Sequence, residues 1–371
     1  MAVDIADLER RARELLAPGI YDYYAGGSGR ERTLRANPEA WQRYWLAPRV
    51  LRDVSAVDTS VRLPLPPQPV LRTPVAVAPT GFQGLAHADG EVATARGAAQ
   101  AGALMVLSTR SSRKIEEVAA AVSAEGGTWW FQVYVMRERD LTRRLVERAV
   151  AAGAQALVLT GDTPVVGRKR RDRTDGVVSD AQVLANIGPV PDLNMTGQAA
   201  DVTFADIGWL AGLGSVPVLV KGVLRADDAR ACLAAGAAGV IVSNHGGRQL
   251  DGAMPAALAL PAVTAALGAR RAGAGRGRPP DGGATSRAVV FADGGLRTGT
   301  DVLTALGLGA RAVFVGRPVL WALTCGGADG VRELLAGLTD DLAHAMALAG
   351  APSVAEIPGV TQATEGHSLE P

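Results

Sequence analysis

The sequence predicts an α/β protein that folds as a (β/α)8 TIM barrel with an N-terminal helical extension. Eight short apolar runs recur along the 371 residues, and their lack of polar alternation is typical of strands buried on both faces of a parallel sheet. Helical patterns with apolar residues at three- and four-residue spacing separate the runs. The runs are VAVAP at 75, LMVLS at 104, WWFQVYV at 129, ALVLT at 156, PVLVKG at 217, GVIVSN at 239, AVVFAD at 288 and AVFVG at 312.

Glycine ends most of the helical patterns, as in QAGALMVLS and AAGAQALVLT, and the next strand starts within a few residues. Eight repeats of this unit predict a closed barrel, for which the chain length is normal. An open, doubly wound sheet is the structural alternative. It would require a GxGxxG motif after an early strand, and the sequence has none there.

We expect residues 1–371 to form a single barrel domain with three additional segments. Residues 1–70 precede the first strand and look like helices followed by the Pro-rich stretch LPLPPQP. Residues 163–202 follow the fourth strand, carry the basic run RKRRDR, and therefore form a loop on the active face. Residues 269–287 are rich in Gly, Arg and Pro and are predicted to be a flexible insertion on the opposite face.

Composition excludes several classes of function. A net charge of +1 gives no reason to expect nucleic-acid or membrane partners. Cys232 and Cys325 have no metal-ligand spacing, so we expect neither a metal site nor a disulfide framework. No apolar stretch is long enough to cross a membrane, and the N-terminus lacks the apolar segment of a signal peptide. The expected location is the cytoplasm.

Polar residues or glycine follow every predicted strand, at the end where barrels of this class carry their chemistry. Because all eight ends face the same side, they predict one lined cavity. The residues are Pro79-Thr80-Gly81, Ser108-Thr109-Arg110, Gln132 with Tyr134, Thr160 with Asp162, Lys221, Ser243-Asn244-His245, Asp293-Gly294-Gly295 and Gly316-Arg317.

The last two strand ends, ADGGLRTGTD and VGRP, predict an anion site near Arg297 and Arg317, because loops after strands seven and eight commonly bind phosphate.

In VSNHGGRQLD, His245 is placed as a catalytic base would be, and Arg248 in the same loop could hold a carboxylate. The pair suggests proton removal from a carbon beside a carboxylate. The alternative is a histidine that only hydrogen-bonds its loop. Lys221 either meets an anion or an electron-rich ring, or reaches solvent at the rim.

From about residue 7 to about residue 357, the sequence resembles the FMN-dependent 2-hydroxy acid oxidases and dehydrogenases. This family includes glycolate oxidase, lactate oxidase and hydroxymandelate oxidase. The resemblance implies FMN as the cofactor. It is carried by YDYYAGGSG, APTG, FQVY, TGDTPVVGR, VLVKGV, VSNHGGRQLD, DGGLRTGTD and VGRPV.

The resemblance implies that His245 is the active-site base and that Asp162 orients it. Tyr23 and Tyr134 are implied to hold the substrate's carboxylate and hydroxyl, and Arg248 to clamp the carboxylate. Lys221 is implied to lie next to flavin N1, where negative charge grows on reduction. The full set of implied cofactor-binding residues is Pro79, Thr80, Gly81, Ser108, Gln132, Thr160, Lys221, Ser243, Asp293, Gly295, Arg297, Gly316 and Arg317.

The implied reaction oxidises a small (S)-2-hydroxy acid to the 2-oxo acid. His245 takes a proton as the Cα–H bond breaks, and reduced FMN passes its electrons to molecular oxygen, giving H2O2. One alternative is a dehydrogenase that uses a quinone or a carrier protein as acceptor. Another is a non-catalytic flavin-binding barrel. Family members are often tetramers, so a homo-oligomer, a tetramer or octamer, is expected.

Two positions depart from the family pattern at the expected substrate site. Lys169 stands where the family usually has a second carboxylate-binding arginine, and lysine lacks the planar fork of a guanidinium. Arg168 or Arg170 could substitute for it if the loop shifts. Arg110 stands near the place where glycolate oxidase-like members carry a bulky aromatic residue. It could bind a polar or anionic substrate tail, or point to solvent.

Overall fold

The computed structural model describes residues 3–171, 185–188, 193–268, 288–357 and 360–362. Eight parallel strands close into a barrel in the order in which they follow one another along the chain, which confirms the predicted (β/α)8 fold. The described strands are β1 (Tyr44–Leu46), β2 (Val61–Arg62), β3 (Val70–Leu71), the barrel strands β4 (Val75–Val77), β5 (Leu104–Ser108), β6 (Thr128–Val133), β7 (Leu157–Thr160), β8 (Val218–Val223), β9 (Gly239–Val242), β10 (Val289–Asp293) and β11 (Val313–Val315), and finally β12 (Val360–Gln362).

Eleven α-helices lie in the described ranges, three before the barrel and one after each barrel strand. None of these helices is long and apolar enough to span a membrane. The helices are α1 (Ile5–Leu15), α2 (Pro18–Ala25), α3 (Arg32–Trp41), α4 (Gly90–Gln100), α5 (Ile115–Ala124), α6 (Arg139–Ala151), α7 (Ala205–Gly214), α8 (Ala226–Ala234), α9 (Ala256–Ala266), α10 (Gly299–Gly307) and α11 (Arg317–Leu348).

Alternate residues of the barrel strands pack on opposite faces of the sheet, as the two-residue period of a strand requires. Val75 and Val77 join the core between the sheet and the helices, whereas the intervening Ala76 joins the core inside the barrel. Both faces are buried, which explains the apolar runs without polar alternation. Trp130, Phe291 and Phe314 fill the barrel interior, and their ring centroids lie 5.5 to 6.1 Å apart.

The hairpin of β2 and β3 closes one end of the barrel. Leu63, Leu65 and Leu71 belong to the same buried cluster as the interior aromatic rings. Because β3 leads directly into the start of β4, the hairpin lies at the amino-terminal end of the barrel. The Pro-rich LPLPPQP forms the connection within this hairpin, where the sequence indicated only a lead into the barrel.

Helix α3 of the N-terminal extension braces two loops at the other end of the barrel. The side chains of Asn37 and Asn244 exchange two hydrogen bonds of 3.1 and 2.6 Å. Trp41 donates its ring N–H to the carbonyl oxygen of Gly294, at 2.9 Å. A Cβ atom at Gly295 would lie 2.4 Å from the Asn37 backbone, so glycine is needed for this close approach. The extension therefore positions the loops that follow β9 and β10.

Two predicted segments lie wholly or partly outside the described residues. The insertion at 269–287 is outside them entirely, and the 163–202 segment is described only in part. The described parts of that segment lie between β7 and β8, as the sequence predicted. The single-domain organisation stays a prediction.

Replacing Phe291 by alanine should destabilise the barrel by about 3–5 kcal/mol, because it leaves a cavity between Trp130 and Phe314. The measurement is the urea midpoint of unfolding, followed by circular dichroism. Phe204→Ala is the matched control, since Phe204 is 45% exposed and should lose far less stability. Equal shifts for the two variants would contradict the described interior packing.

Candidate active site

One cavity of about 340 Å³ opens at the carboxyl-terminal ends of the barrel strands, within the size range of cofactor and substrate sites. Most of the residues that the sequence singled out line it. They are Tyr23, Pro79, Thr80, Gly81, Ser108, Arg110, Tyr134, Lys169, Lys221, His245, Arg248, Asp293, Gly295, Arg297, Gly316 and Arg317.

The imidazole of His245 is held between a carboxylate and a phenol. Its Nδ1 lies 3.1 Å from Oδ1 of Asp162, and its Nε2 lies 3.4 Å from the hydroxyl of Tyr134. The three side chains come from the loops after β9, β7 and β6. If the Asp162 carboxylate accepts a hydrogen bond from Nδ1–H of the neutral imidazole, the lone pair of Nε2 is available on the cavity side.

The backbone of His245 has a left-handed conformation, with φ of 58°, which is unusual for a residue with a side chain. Its N–H donates to Oγ of Ser243 at 3.0 Å, and the Asn244 side chain accepts from the N–H of Gly247 at 3.2 Å. These bonds fix the turn that points the imidazole into the cavity. Sequence reasoning did not find this strained backbone, which is characteristic of functional sites.

Electrostatics fix the protonation of the two groups that flank His245. Burial alone would raise the pKa of Asp162, but the charge of His245, its hydrogen bond and the charge of Lys221 together lower this pKa below its ordinary value. Burial raises the pKa of Tyr134, and the Asp162 carboxylate raises it further. Asp162 is therefore an anion at neutral pH and Tyr134 a neutral hydroxyl.

Lys221 lies in the cavity wall with an acid and a hydroxyl as partners. Its Nζ is 2.9 Å from Oδ2 of Asp293 and donates to Oγ of Ser243 at 2.8 Å. The second oxygen of Asp293, Oδ1, is buried and has no hydrogen-bond partner among the described residues. A buried carboxylate oxygen of this kind needs a donor, and a hydroxyl-bearing ligand would supply it.

Arg297 and Arg317 form the cationic end of the cavity. Burial lowers the pKa of both guanidiniums, and for Arg317 the charges of Arg248 and Arg297 add to the effect, giving a pKa of about 9. Arg317 is the first residue of α11, whose amino-terminal end favours an anion. Two partly buried positive charges at one end of the cavity favour a counter-anion, and a phosphate fits this end. With the orphan oxygen of Asp293, the residues present fit FMN, which carries ribityl hydroxyls and a phosphate.

Arg248 lies between the cavity and the N-terminal extension. Its Nη1 donates to the carbonyl oxygens of Tyr23 at 2.7 Å and Gly26 at 2.8 Å, and its guanidinium carbon lies 5.2 Å from the centre of the Tyr23 ring. These contacts hold one side of the guanidinium. The side chain also lines the cavity, where a carboxylate would meet it.

Both residues that depart from the family pattern line the cavity. Arg110 donates from Nη2 to the carbonyl oxygen of Thr196 at 2.7 Å, so it does not point to bulk solvent. Lys169 lies with its Nζ 3.4 Å from the carbonyl oxygen of Gly167. The sequence left both orientations open.

Four predicted site residues are not among those that line the cavity. Asp162 and Ser243 instead contact His245 and Lys221 as described above. Gln132 and Thr160 are buried and join a network in which Ser108 donates to Gln132 at 3.0 Å and Gln132 donates to Thr160 at 2.9 Å. They touch the cavity through Ser108 rather than directly.

Several lining residues were not singled out as site residues. Tyr24, Gly246 and Gly294 lie inside motifs that were quoted for neighbouring residues, so those motifs could have pointed to them as well. Thr163 and Val166 lie inside the quoted motif TGDTPVVGR, whereas Gln198 belongs to the later part of the segment after β7, which gave no positional signal. The full set is Tyr24, Ala78, Phe82, Thr163, Val166, Gln198, Gly246, Gln249, Gly294, Leu296, Phe314, Val315, Pro318 and Leu320. Among the described residues, no group of three or more His, Cys, Asp or Glu is placed to hold a metal ion.

The fold and the cavity define a flavin-binding barrel, and comparison with known proteins gives its family. Residues 12–363 match the FMN-dependent dehydrogenase family, so the chain belongs to that family. It is an FMN-dependent oxidoreductase, and FMN is confirmed as its cofactor.

Its relatives include several 2-hydroxy-acid oxidases. The chain is 40% identical to L-lactate oxidase of Nostoc sp., with 96% of each chain covered. It is 41% identical to 4-hydroxymandelate oxidase of Amycolatopsis orientalis, over 95% of this chain and 96% of that one. A solved structure of mandelate oxidase with benzoyl-formic acid has a TM-score of 0.85 and 40% identity, and covers 98% of this chain and 100% of that chain.

Gly222 keeps space for the Asp162 side chain. It lies at an irregularity of β8 with φ of +106°, and a Cβ atom there would be 2.5 Å from both Cβ and Cγ of Asp162. Gly222→Ala should therefore push the carboxylate away from His245 and lower kcat/KM by about 100-fold. Turnover of a 2-hydroxy acid and the melting temperature are measured together.

Gly236→Ala is the control for the effect of Gly222→Ala on the backbone. Gly236 has a similar φ of +98°, and a Cβ atom there would meet no other described atom within 4 Å. Both variants should lose stability, but only Gly222→Ala should lose turnover. Equal activity of the two variants would show that the space beside Asp162 is not required.

Proposed function

We propose that this enzyme oxidises a small (S)-2-hydroxy acid to the 2-oxo acid, with His245 as the base at Cα and molecular oxygen as the final acceptor, giving H2O2. One observation carries the proposal. His245 is held by Asp162 through one ring nitrogen, 3.1 Å away, and its other ring nitrogen reaches the wall of a cavity whose residues fit FMN.

His245 removes the proton from the substrate in this proposal. The Asp162 carboxylate accepts a hydrogen bond from Nδ1–H, which leaves Nε2 unprotonated and able to take the proton from Cα. When Nε2 becomes protonated, the imidazolium carries a positive charge beside Asp162. The lowered pKa of Asp162 keeps its carboxylate ionised, so it stabilises this imidazolium.

Arg248, Tyr23 and Tyr134 orient the substrate. Arg248 offers a guanidinium to the carboxylate at the reacting end. The neutral hydroxyl of Tyr134, 3.4 Å from Nε2 of His245, is close enough to hold a substrate atom beside the base. Because these groups are fixed by other contacts before substrate arrives, little reorganisation is needed in the transition state.

Bound FMN would supply the acceptor for the two electrons and for the hydroxyl proton that leave as the carbonyl forms, while the Cα proton is taken by His245. Arg297 and Arg317 would hold its phosphate, and Asp293 would accept from a ribityl hydroxyl. Lys221 would place its positive charge beside the ring, held there by Asp293 and Ser243 at 2.9 and 2.8 Å. Pro79, Thr80, Gly81 and Ser108 would line the face of the ring.

The relatives' names support an oxidase rather than a dehydrogenase with a quinone or protein acceptor. They are called oxidases of lactate, 4-hydroxymandelate and mandelate, which also supports a small 2-hydroxy acid as substrate. A non-catalytic flavin barrel would have no use for a base oriented by a buried carboxylate. The cytoplasmic location and the homo-oligomeric state stay predictions from the sequence.

Replacing His245 by glutamine should lower the rate of flavin reduction by about 10²–10⁴-fold, because the general base is lost. The rate is measured by anaerobic stopped-flow absorbance with (S)-lactate and (S)-mandelate, and peroxide is assayed in air. His87→Gln is the matched control, since His87 is not among the cavity-lining residues. Wild-type reduction rates in His245→Gln would exclude this residue as the base, and absence of peroxide would favour another acceptor.

Replacing Arg297 by methionine should weaken FMN binding by about 10- to 100-fold, because a charge-assisted contact to the phosphate is lost. Riboflavin, which lacks the phosphate, should bind both proteins equally. Dissociation constants are measured by flavin fluorescence. Arg311→Met is the control, since Arg311 does not line the cavity and bonds to the carbonyl oxygen of Arg62. Equal loss for riboflavin and FMN would place the phosphate elsewhere.

A further inference from the structure

We propose that the substrate carries a second anionic group at the end remote from the reacting carbon, and that Arg110 binds it. The substrate class is then a 2-hydroxy acid with a carboxylate at each end, either a 2-hydroxy dicarboxylic acid or an aryl 2-hydroxy acid with a ring carboxylate. This inference rests on the proposed oxidation of 2-hydroxy acids and narrows its substrate.

Arg110 is a cavity-lining cation without an acid as partner. No carboxylate of the described residues forms an ion pair with it, and the contact found for its guanidinium is the carbonyl oxygen of Thr196. A guanidinium has five N–H donors, so most of its hydrogen-bonding capacity meets no acceptor among the described residues. Burial lowers the pKa of Arg110, and the groups that oppose this shift, Tyr134 and Tyr23, are phenols rather than carboxylates. Such a group requires an anion.

Four of the five other lysine and arginine side chains that line the cavity have anionic partners in the proposed complex, and the fifth, Lys169, lies with its Nζ 3.4 Å from the carbonyl oxygen of Gly167. Lys221 is paired with Asp293 at 2.9 Å, and Arg297 and Arg317 face the phosphate end. Arg248 is assigned to the carboxylate at the reacting carbon. Among the described residues that line the cavity, Asp293 is the one with an acidic side chain. Neither FMN nor a monocarboxylic substrate therefore supplies the charge that Arg110 lacks.

Barrel topology puts the loops that carry Arg110 and Arg248 on opposite sides of the barrel. Arg110 lies in the loop after β5, and Arg248 in the loop after β9. In the closed strand order these two strands are four positions apart in a ring of eight, and so they are diametrically opposed. A substrate that spans the cavity meets one guanidinium at each end. His245 follows β9 and lies at the Arg248 end, where the reacting carbon must be.

Two neighbours of Arg110 fit this role. A Cβ atom at Gly81 would lie 2.9 Å from Cβ of Arg110 and 3.2 Å from its carbonyl oxygen, so glycine at this position lets the chain at Arg110 come close to the loop after β4. Gln198, another cavity-lining residue, has a buried side-chain oxygen with no hydrogen-bond partner among the described residues. Rotation of this amide would present an N–H2 donor to a carboxylate.

The test compares matched substrates that differ in the remote carboxylate. The pairs are (S)-2-hydroxyglutarate with (S)-2-hydroxypentanoate, and (S)-4-carboxymandelate with (S)-mandelate. We expect kcat/KM of the holoenzyme to be about 10- to 100-fold higher for the better diacid than for its partner. Arg110→Met should remove this preference by lowering kcat/KM of the diacid far more than kcat/KM of the monoacid. Arg110→Lys should restore part of it, because the charge returns without the planar fork.

Arg113→Met is the matched control, since Arg113 lies in the same loop, is not among the cavity-lining residues and bonds to the carbonyl oxygen of Ala88. It should keep the diacid preference. A second readout is calorimetric binding of 2-oxoglutarate and 2-oxopentanoate to the holoenzyme. The tighter binding of the diacid should weaken with added salt and disappear in Arg110→Met.

Failure of this inference is distinguishable from failure of the proposed function. If monoacids reduce the flavin as well as or better than both diacids, the second anion site is overturned and the oxidation stands. Equal loss for both members of a pair in Arg110→Met would also overturn it, because the arginine would then serve the carboxylate at the reacting end. If no 2-hydroxy acid reduces the flavin, the proposed function is contradicted, and so is the inference that rests on it.

Discussion

The contact between the Asp162 carboxylate and the His245 imidazole is the constraint on which the rest of the site depends. It joins the loops after β7 and β9, and Gly222 of the intervening strand β8 leaves room for it. Barrel closure brings the three strands side by side and makes the contact possible. The left-handed backbone of His245 is then held by Ser243 and by the turn that α3 supports. A chain segment far outside the barrel strands thus contributes to the position of the base.

The charges of the cavity explain why this arrangement suits an anionic ligand. Cationic side chains line it from several loops, whereas the buried acids Asp162 and Asp293 are each tied to a cation or an imidazole. In a buried site such charges interact more strongly than in water. The resulting field favours an anion at both the phosphate end and the substrate end. The same positive charges would oppose binding of a cationic substrate.

Sequence reasoning found the strands and most of the cavity, because these follow from local patterns. The run LMVLS at 104 coincides with β5, and the polar residue after each run lies where barrel topology puts it. It did not find features that arise from contacts between distant segments. The left-handed φ of His245, the space that Gly222 leaves for Asp162 and the hairpin around LPLPPQP depend on such contacts. The direction of Arg110 depends on Thr196, which is 86 residues away.

Arg110 departs from the family pattern and follows a strand opposite the one that precedes the base, and this separation has a physical reason. A base must hold its reacting nitrogen within hydrogen-bond reach of one proton, so His245, Asp162 and their supports tolerate little change. The remote end of a substrate is bound by charge and shape without taking part in bond breaking. Arg110 lies on the loop after β5, where a side chain can change without moving β9, the strand that precedes His245. The barrel therefore lets the remote substrate contacts vary while the reacting geometry stays the same.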